Sequence, residues 1–221
     1  FFVADEPQVP AWSLVPPRDP AAIDQLVRTF ESSGGEIRDV LRVLFNSDFF
    51  KAARFEKVKS PAELVVGVIK LVGTHKFPEA SLLELDTATD TIGQQLMNPP
   101  TVEGWHTGRE WINGGTLNER VNFAVNQLAD LSKPGIQDIV NRLAARDGAP
   151  GGSLSSEQLV DYCLELVGPV EAGEETRRAL LEASAADGPA RFDGDEERQK
   201  SATRVGRLLQ LIVASREYQF N

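Results

Sequence analysis

The side chains best suited to hold a ligand gather between Asn98 and Gly115: Trp105, His106, Arg109 and Trp111, with Gln94 just upstream. Two indoles near a polar loop offer stacking walls for a sugar or another planar-faced ligand, and the loop would then be a pocket floor. The alternative is architectural. Pro99, Pro100, Gly104 and the two tryptophans stiffen the segment, and each indole can bury roughly 150 Å² or more. The rings would then staple a corner onto helices while Gln94, Asn98 and Asn113 satisfy loop backbone groups. The architectural reading is preferred, because the chemistry around the loop is sparse. His75 and His106 are the only histidines, and neither stands in a metal-binding spacing. His106 reads as an exposed or capping residue. Arg109, Glu119 and Arg120 are spaced to form an ion pair under the loop, with Arg120 donating to loop carbonyls through its fixed fork.

Other chemistry is thinner still. Asp86 and Asp90 fall at i and i+4 with Glu84 near, an arrangement able to bind a metal or split two pKa values, but more simply a solvated face. No Ser, Cys or Thr sits in a nucleophile elbow, and the Gly-Gly pairs at 34–35, 114–115 and 151–152 lack a phosphate-loop pattern. Cys163, the single cysteine, lies on an apolar helical stripe and reads as a buried, inert thiol. No catalytic residue, metal ligand or cofactor is assigned. Arg177-Arg178 and the run Arg198, Lys200, Arg204 and Arg207 read as surface charges without interleaved aromatics. The 221 residues carry 23 basic and 33 acidic side chains, net −10, a field that repels nucleic acid and anionic bilayers. No apolar run approaches the roughly 20 residues of a membrane span.

The elements that must position these residues are helical. Asp19-Pro20 caps a helix bearing Ile23, Leu26, Val27 and Phe30, stopped by Gly34-Gly35. Ile37, Val40, Leu41 and Leu44 line a second helix, followed by a turn at Ser47–Phe50. Ser60-Pro61-Ala62-Glu63 is a capping box with Pro at the first helical position, opening a helix through Val72 that stops at Gly73. The pattern then predicts a long helix over 79–97, with Gly93 as a close-packing point and Asn98-Pro99-Pro100 as its stop. Thr116 starts the next helix, another follows Ser132, and three more are predicted after Ser155, over 174–186 and over 195–215. The fold class is all-α, a multi-helix bundle of roughly eight or more helices interrupted by the ordered Pro/Trp/Gly loop. Residues 1–146 read as a helical body, 147–153 as a Gly/Pro linker and 154–221 as a three-helix segment packed on the body.

Three stretches, and the C-terminal ending beside them, resemble the bacterial family called domain of unknown function 1800. Lys59-Ser60-Pro61-Ala62-Glu63-Leu64-Val65-Val66-Gly67 is similar to the family's K-S-P-x-E run. Gly93-Gln94, Asn98-Pro99-Pro100-Thr101-Val102-Glu103-Gly104-Trp105 and Trp111-Ile112 resemble its G-Q … P-P-N-V-x-G-W … W-I signature, with Thr101 where Asn is usual. Arg120-Val121-Asn122-Phe123 is similar to an R-x-N-F helix start. The C-terminal Ser215-Arg216-Glu217-Tyr218-Gln219 resembles S-P-E-F-Q, with Arg216 in place of Pro. The likeness is dense over 36–128 and looser over 130–200. It implies structural roles for Ser60, Pro61, Glu63, Gly93, Asn98, Pro99, Pro100, Gly104, Arg120 and Asn122. It also implies that the chain is the C-terminal half of a longer exported protein, periplasmic or on the cell surface. The partner it implies is another protein, a sulfatase-like one encoded nearby. No activity transfers with the resemblance. The expected function is therefore a non-enzymatic helical scaffold or interaction module; the alternative is a hydrolase-like or carbohydrate-active enzyme with its site at 98–113, completed by a missing N-terminal half.

Overall fold

The computed structural model describes residues 2–5, 14–105, 107–146, 153–186 and 188–220. Eleven α-helices account for most of them, and the only sheet among the described residues is a two-residue ladder. The protein is all-α. Its chain divides into two compact units, one formed by Phe1–Lys59, His106–Trp111 and Phe220–Asn221, the other by Ser60–Trp105 and Ile112–Gln219.

The first unit contains α1 (Pro20–Ser32), α2 (Ile37–Asn46) and α3 (Asp48–Ala52). Asp19 caps α1 by accepting from the Ala22 amide at 3.0 Å, with Pro20 at the first helical position. Where a turn was expected at Ser47–Phe50, the Ser47 hydroxyl accepts from the Phe50 amide and closes one short helix. Phe45 meets Phe2 and Phe50 edge-on, with centroids 5.4 and 5.2 Å apart. Asp5 ties the unit together. Its carboxylate accepts from the Val58 amide at 2.7 Å and its carbonyl from Arg18, which also pairs with Glu56. Gly108 has φ +67°, and a Cβ there would stand 2.7 Å from Asp5 Cβ, so only glycine fits. Although α1 carries the predicted apolar stripe, it buries none of its side chains.

The second unit holds α4 (Pro61–Val72), α5 (Leu82–Thr91), α6 (Gly114–Ala129), α7 (Pro134–Arg146), α8 (Ser156–Val167), α9 (Glu174–Ala185), α10 (Asp195–Ala214) and, up to Gln219, α11 (Arg216–Phe220). Helix α10 packs on α6, α8 and α9, while α4 packs on α5, α6 and α7. Leu64, Val68, Leu128, Ile136, Leu143, Leu159, Leu208 and Ile212 are almost wholly buried in one core. Each such side chain stabilises the fold by about 1.5–3 kcal/mol. The start of α7 abuts the end of α4 so closely that a Cβ on Gly135 would lie 2.0 Å from the Leu71 carbonyl oxygen.

Further elements differ from the sequence expectation, among them a short α11 after the last predicted helix. Helix α5 runs from Leu82 to Thr91 only, because Gly93 turns left-handed at φ +107° and the Gln94 amide folds back to the Thr89 carbonyl. Its Thr-Ala-Thr-Asp-Thr end is a weak helix former, so the chain leaves the helix before the prolines are reached. Helix α6 begins at Gly114 rather than after Thr116: Asn113 is the cap and Thr116 its reciprocal partner. A ladder pairs β1 (Ser153–Leu154) antiparallel to β2 (Ala190–Arg191), and two residues are too few for an alternating pattern to announce. Residues 147–152 of the expected linker lie outside the described residues.

Candidate functional site

The N-terminus of α4 is where two of the signature stretches meet. Of its first amides, Pro61 has none to satisfy. Ala62 donates to Gln94 Oε1 at 2.9 Å, Glu63 to Ser60 Oγ at 3.3 Å, and Leu64 to the Ser60 carbonyl at 3.0 Å. Glu63 Oε2 completes the box by accepting from the Ser60 amide at 2.8 Å. Gly93 is the hinge that lets Gln94 reach back: its left-handed backbone reverses the chain after α5 and brings a side chain from 32 residues downstream onto the helix end. The orphan donors of a helix start are thus met by Ser60 and Gln94 together.

From Gln95 to Gly104 the mostly exposed chain bonds to itself at short range. Asn98 Nδ2 donates to Gln95 Oε1. Thr101 and Gly104 close a tight turn: the Gly104 amide donates to the Thr101 carbonyl at 3.1 Å and the Thr101 hydroxyl to the Gly104 carbonyl at 3.0 Å. Pro99 and Pro100 are exposed. Met97, held at φ +64°, is 95% exposed, and Val102 at the tip is completely so.

Gln94 and Trp105 belong to the second unit, Arg109 and Trp111 to the first. Trp105 is partly buried, and its indole Nε1 is shut off from solvent without a hydrogen-bond partner among the described residues. Trp111 is buried at the end of a single 3-10 turn, Gly108–Trp111, on which Arg109 is exposed. His106 lies outside the described residues. Glu119 is exposed like Arg109, so neither joins a buried ion pair. Asn122 is exposed on α6.

Arg120 is completely buried. It donates to the Gln219 carbonyl at 2.9 Å and to Gln219 Oε1 at 3.3 Å, and Gln219 Nε2 donates to the Val213 carbonyl at 2.7 Å. The guanidinium therefore clasps α11 to α6, where donation to loop carbonyls was the expectation. Burial lowers its pKa to about 10, opposed by Tyr218, whose own phenol burial pushes up to about 12. Arg204 overturns its reading as a surface charge. It is buried, donating to Ser156 Oγ at 3.1 Å, to Ser184 Oγ at 2.9 Å, and to the Ser184 and Gly188 carbonyls, so it binds α8, α9 and α10 together. Its position was readable: residue 204 lies four before Leu208 and three after Ser201, on the buried stripe of α10. Cys163 is fully buried, and burial pushes its thiol up to about 12 despite the Arg204 charge. Glu84, Asp86 and Asp90 all face solvent on or beside α5. His75 Nδ1 stands 2.8 Å from Glu79. Among the described residues no three His, Cys, Asp or Glu side chains converge as a metal site, and no helix is long and apolar enough to cross a membrane.

The fold and these clasps define an all-α module whose buried arginines hold helix to helix. The chain belongs to the family described as Protein of unknown function (DUF1800), whose profile matches residues 1–220. The match runs through 130–200, where the signature stretches are loose. No curated protein and no solved structure matches the chain.

Proposed function

We propose that the protein is a non-enzymatic helical interaction module of an exported bacterial protein, docking another protein through the turn at residues 96–104. The observation that carries this reading is the turn itself: Met97 and Val102 are apolar, almost wholly in water, and separated by two prolines, with Val102 inside a doubly hydrogen-bonded Thr101–Gly104 closure. An apolar group already fixed in its bound conformation loses little entropy on association, so it gains more from burial than a mobile one. Export, and a partner exported with it, rest on the family resemblance. A photoreactive side chain at position 102, in the cell that makes the protein, should give a discrete protein adduct. The same group at exposed Glu182 should give none. No adduct from position 102 would contradict the proposal.

A carbohydrate-active or hydrolase-like role is favoured by one observation, the enclosed Trp105 indole donor without a partner among the described residues, which a ligand oxygen would satisfy. Titration with mono- and oligosaccharides should then shift tryptophan fluorescence saturably in the parent and not in Trp105→Phe. A flat titration removes this reading.

A further inference from the structure

The stretch from Phe77 to Gly108 contains no Lys or Arg. It does contain Glu84, Asp86, Asp90 and Glu103, all exposed and none in an ion pair among the described residues. Interleaved with them, Phe77 is 80% and Leu83 73% exposed, and Met97 and Val102 stand almost fully in water. Nothing in the folding of the second unit requires this. Helix α5 buries Thr89 and packs on α4 and α6, while Leu83, Asp86 and Asp90 fall at i, i+3 and i+7 on a shared helical face. The helix is about 15 Å long, and the turn bearing Met97 and Val102 follows its C-terminal end in the chain.

We infer that this strip receives a polypeptide segment of a partner protein that carries apolar anchors flanked by lysines and arginines. The inference rests on the interaction-module reading and adds the chemistry of the partner. The argument for this occupant is complementarity: apolar anchors fill the exposed Leu83, Met97 and Val102 surface, and cations meet carboxylates that have no counter-charge within their own stretch. Other occupants fit worse. An anionic bilayer or nucleic acid meets like charge. A second copy of this chain, net −10, also arrives with the wrong overall sign.

The test uses the purified full chain and two synthetic amphipathic peptides with identical leucine positions, one carrying lysines and the other glutamates at the polar positions. The lysine peptide should bind about tenfold or more tighter, and its affinity should fall as salt rises. Two variants should each weaken it severalfold: Met97→Ser/Val102→Ser, and Asp86→Asn/Asp90→Asn/Glu103→Gln. A control removing three exposed carboxylates elsewhere, Glu31→Gln/Glu119→Gln/Glu182→Gln, should bind like the parent. Melting curves of all three variants should match the parent. Equal binding of the two peptides, or equal weakening by the control, overturns the inference. So does self-association or binding to phosphatidylglycerol vesicles that disappears in Met97→Ser/Val102→Ser. A failure of the peptides alongside a surviving adduct from position 102 would sink the basic-partner inference and leave the interaction module standing. Loss of that adduct would sink both.

Discussion

Helices α4 and α5 follow one another, pack together and are both leucine-bearing, yet they treat their apolar residues in opposite ways. Helix α4 starts with every early amide satisfied and buries Pro61, Leu64, Val65, Val68, Ile69 and Val72. Helix α5 starts with no side-chain cap, buries Thr89 alone, and leaves Leu82 and Leu83 in solvent, as the turn beyond it leaves Met97 and Val102. Elsewhere in the same unit the inversion runs the other way, with Arg120 and Arg204 buried and bonded. Burial in α4, α6 and α10 stabilises the fold. Exposure between Phe77 and Gly104 does nothing for it, and Met97 and Val102 are the most exposed large apolar side chains among the described residues.

The sharpest way to break the α4 side of this contrast is Gly135→Ala. A methyl 2.0 Å from the Leu71 carbonyl oxygen cannot be absorbed by backbone, and the cost should reach about 3 kcal/mol or more. A cooperative melt near the parent temperature would show that α4 and α7 do not approach in this way. Next comes Arg120→Met. Removing a buried cation and taking its donors from the Gln219 carbonyl and Oε1 should cost about 2–4 kcal/mol in urea unfolding, since breaking a buried polar network costs more than its net worth.

Gln94→Ala should cost about 1 kcal/mol, the usual effect of a lost helix cap. Combined with Ser60→Ala, the loss should be non-additive, because both serve one helix end. Independent, summing effects in equilibrium unfolding would separate the two stretches. A smaller, pH-dependent effect belongs to Glu217. Burial raises its carboxyl pKa, but hydrogen bonds from its own amide, the Gly173 amide and the Thr176 hydroxyl, aided by Arg216, bring it below the ordinary glutamate value. A depressed carboxylate stabilises the fold above its unfolded pKa, about 4.3, and loses that contribution as pH falls through the folded value. The melting gap between parent and Glu217→Gln should therefore be present at pH 7 and close at pH 3. A gap of unchanged size at pH 3 would show that the charge is not what matters.

The helical class, the α4 capping box, the Asp19 and Ser155 caps and the buried Cys163 were all legible, because capping and helical spacing are local signals. The clasps were not. Arg120 meets Gln219 across 99 residues and Gln94 meets Ala62 across 32, and composition cannot announce such pairings. Arg204 was legible in principle from its place on the stripe of α10 and was obscured by its charged neighbours. The length of α5 was not legible, because leucines at 82, 83, 85 and 96 and Ile92 imitate one continuous face, whereas Gly93 ends the run before the last of them. For the loop residues, sequence spacing indicated rigidity but not which side chains would be left in water.

The most direct measurement is thermal unfolding of Leu83→Ser/Met97→Ser/Val102→Ser beside the parent. Three large apolar side chains made polar in a core would remove several kcal/mol. On this account they contribute nothing to folding, so each change should stay within about 0.5 kcal/mol and the triple variant should melt with the parent. A Tm lowered by many degrees would mean that these side chains hold the fold together, and the contrast between α4 and the stretch that follows it would be gone.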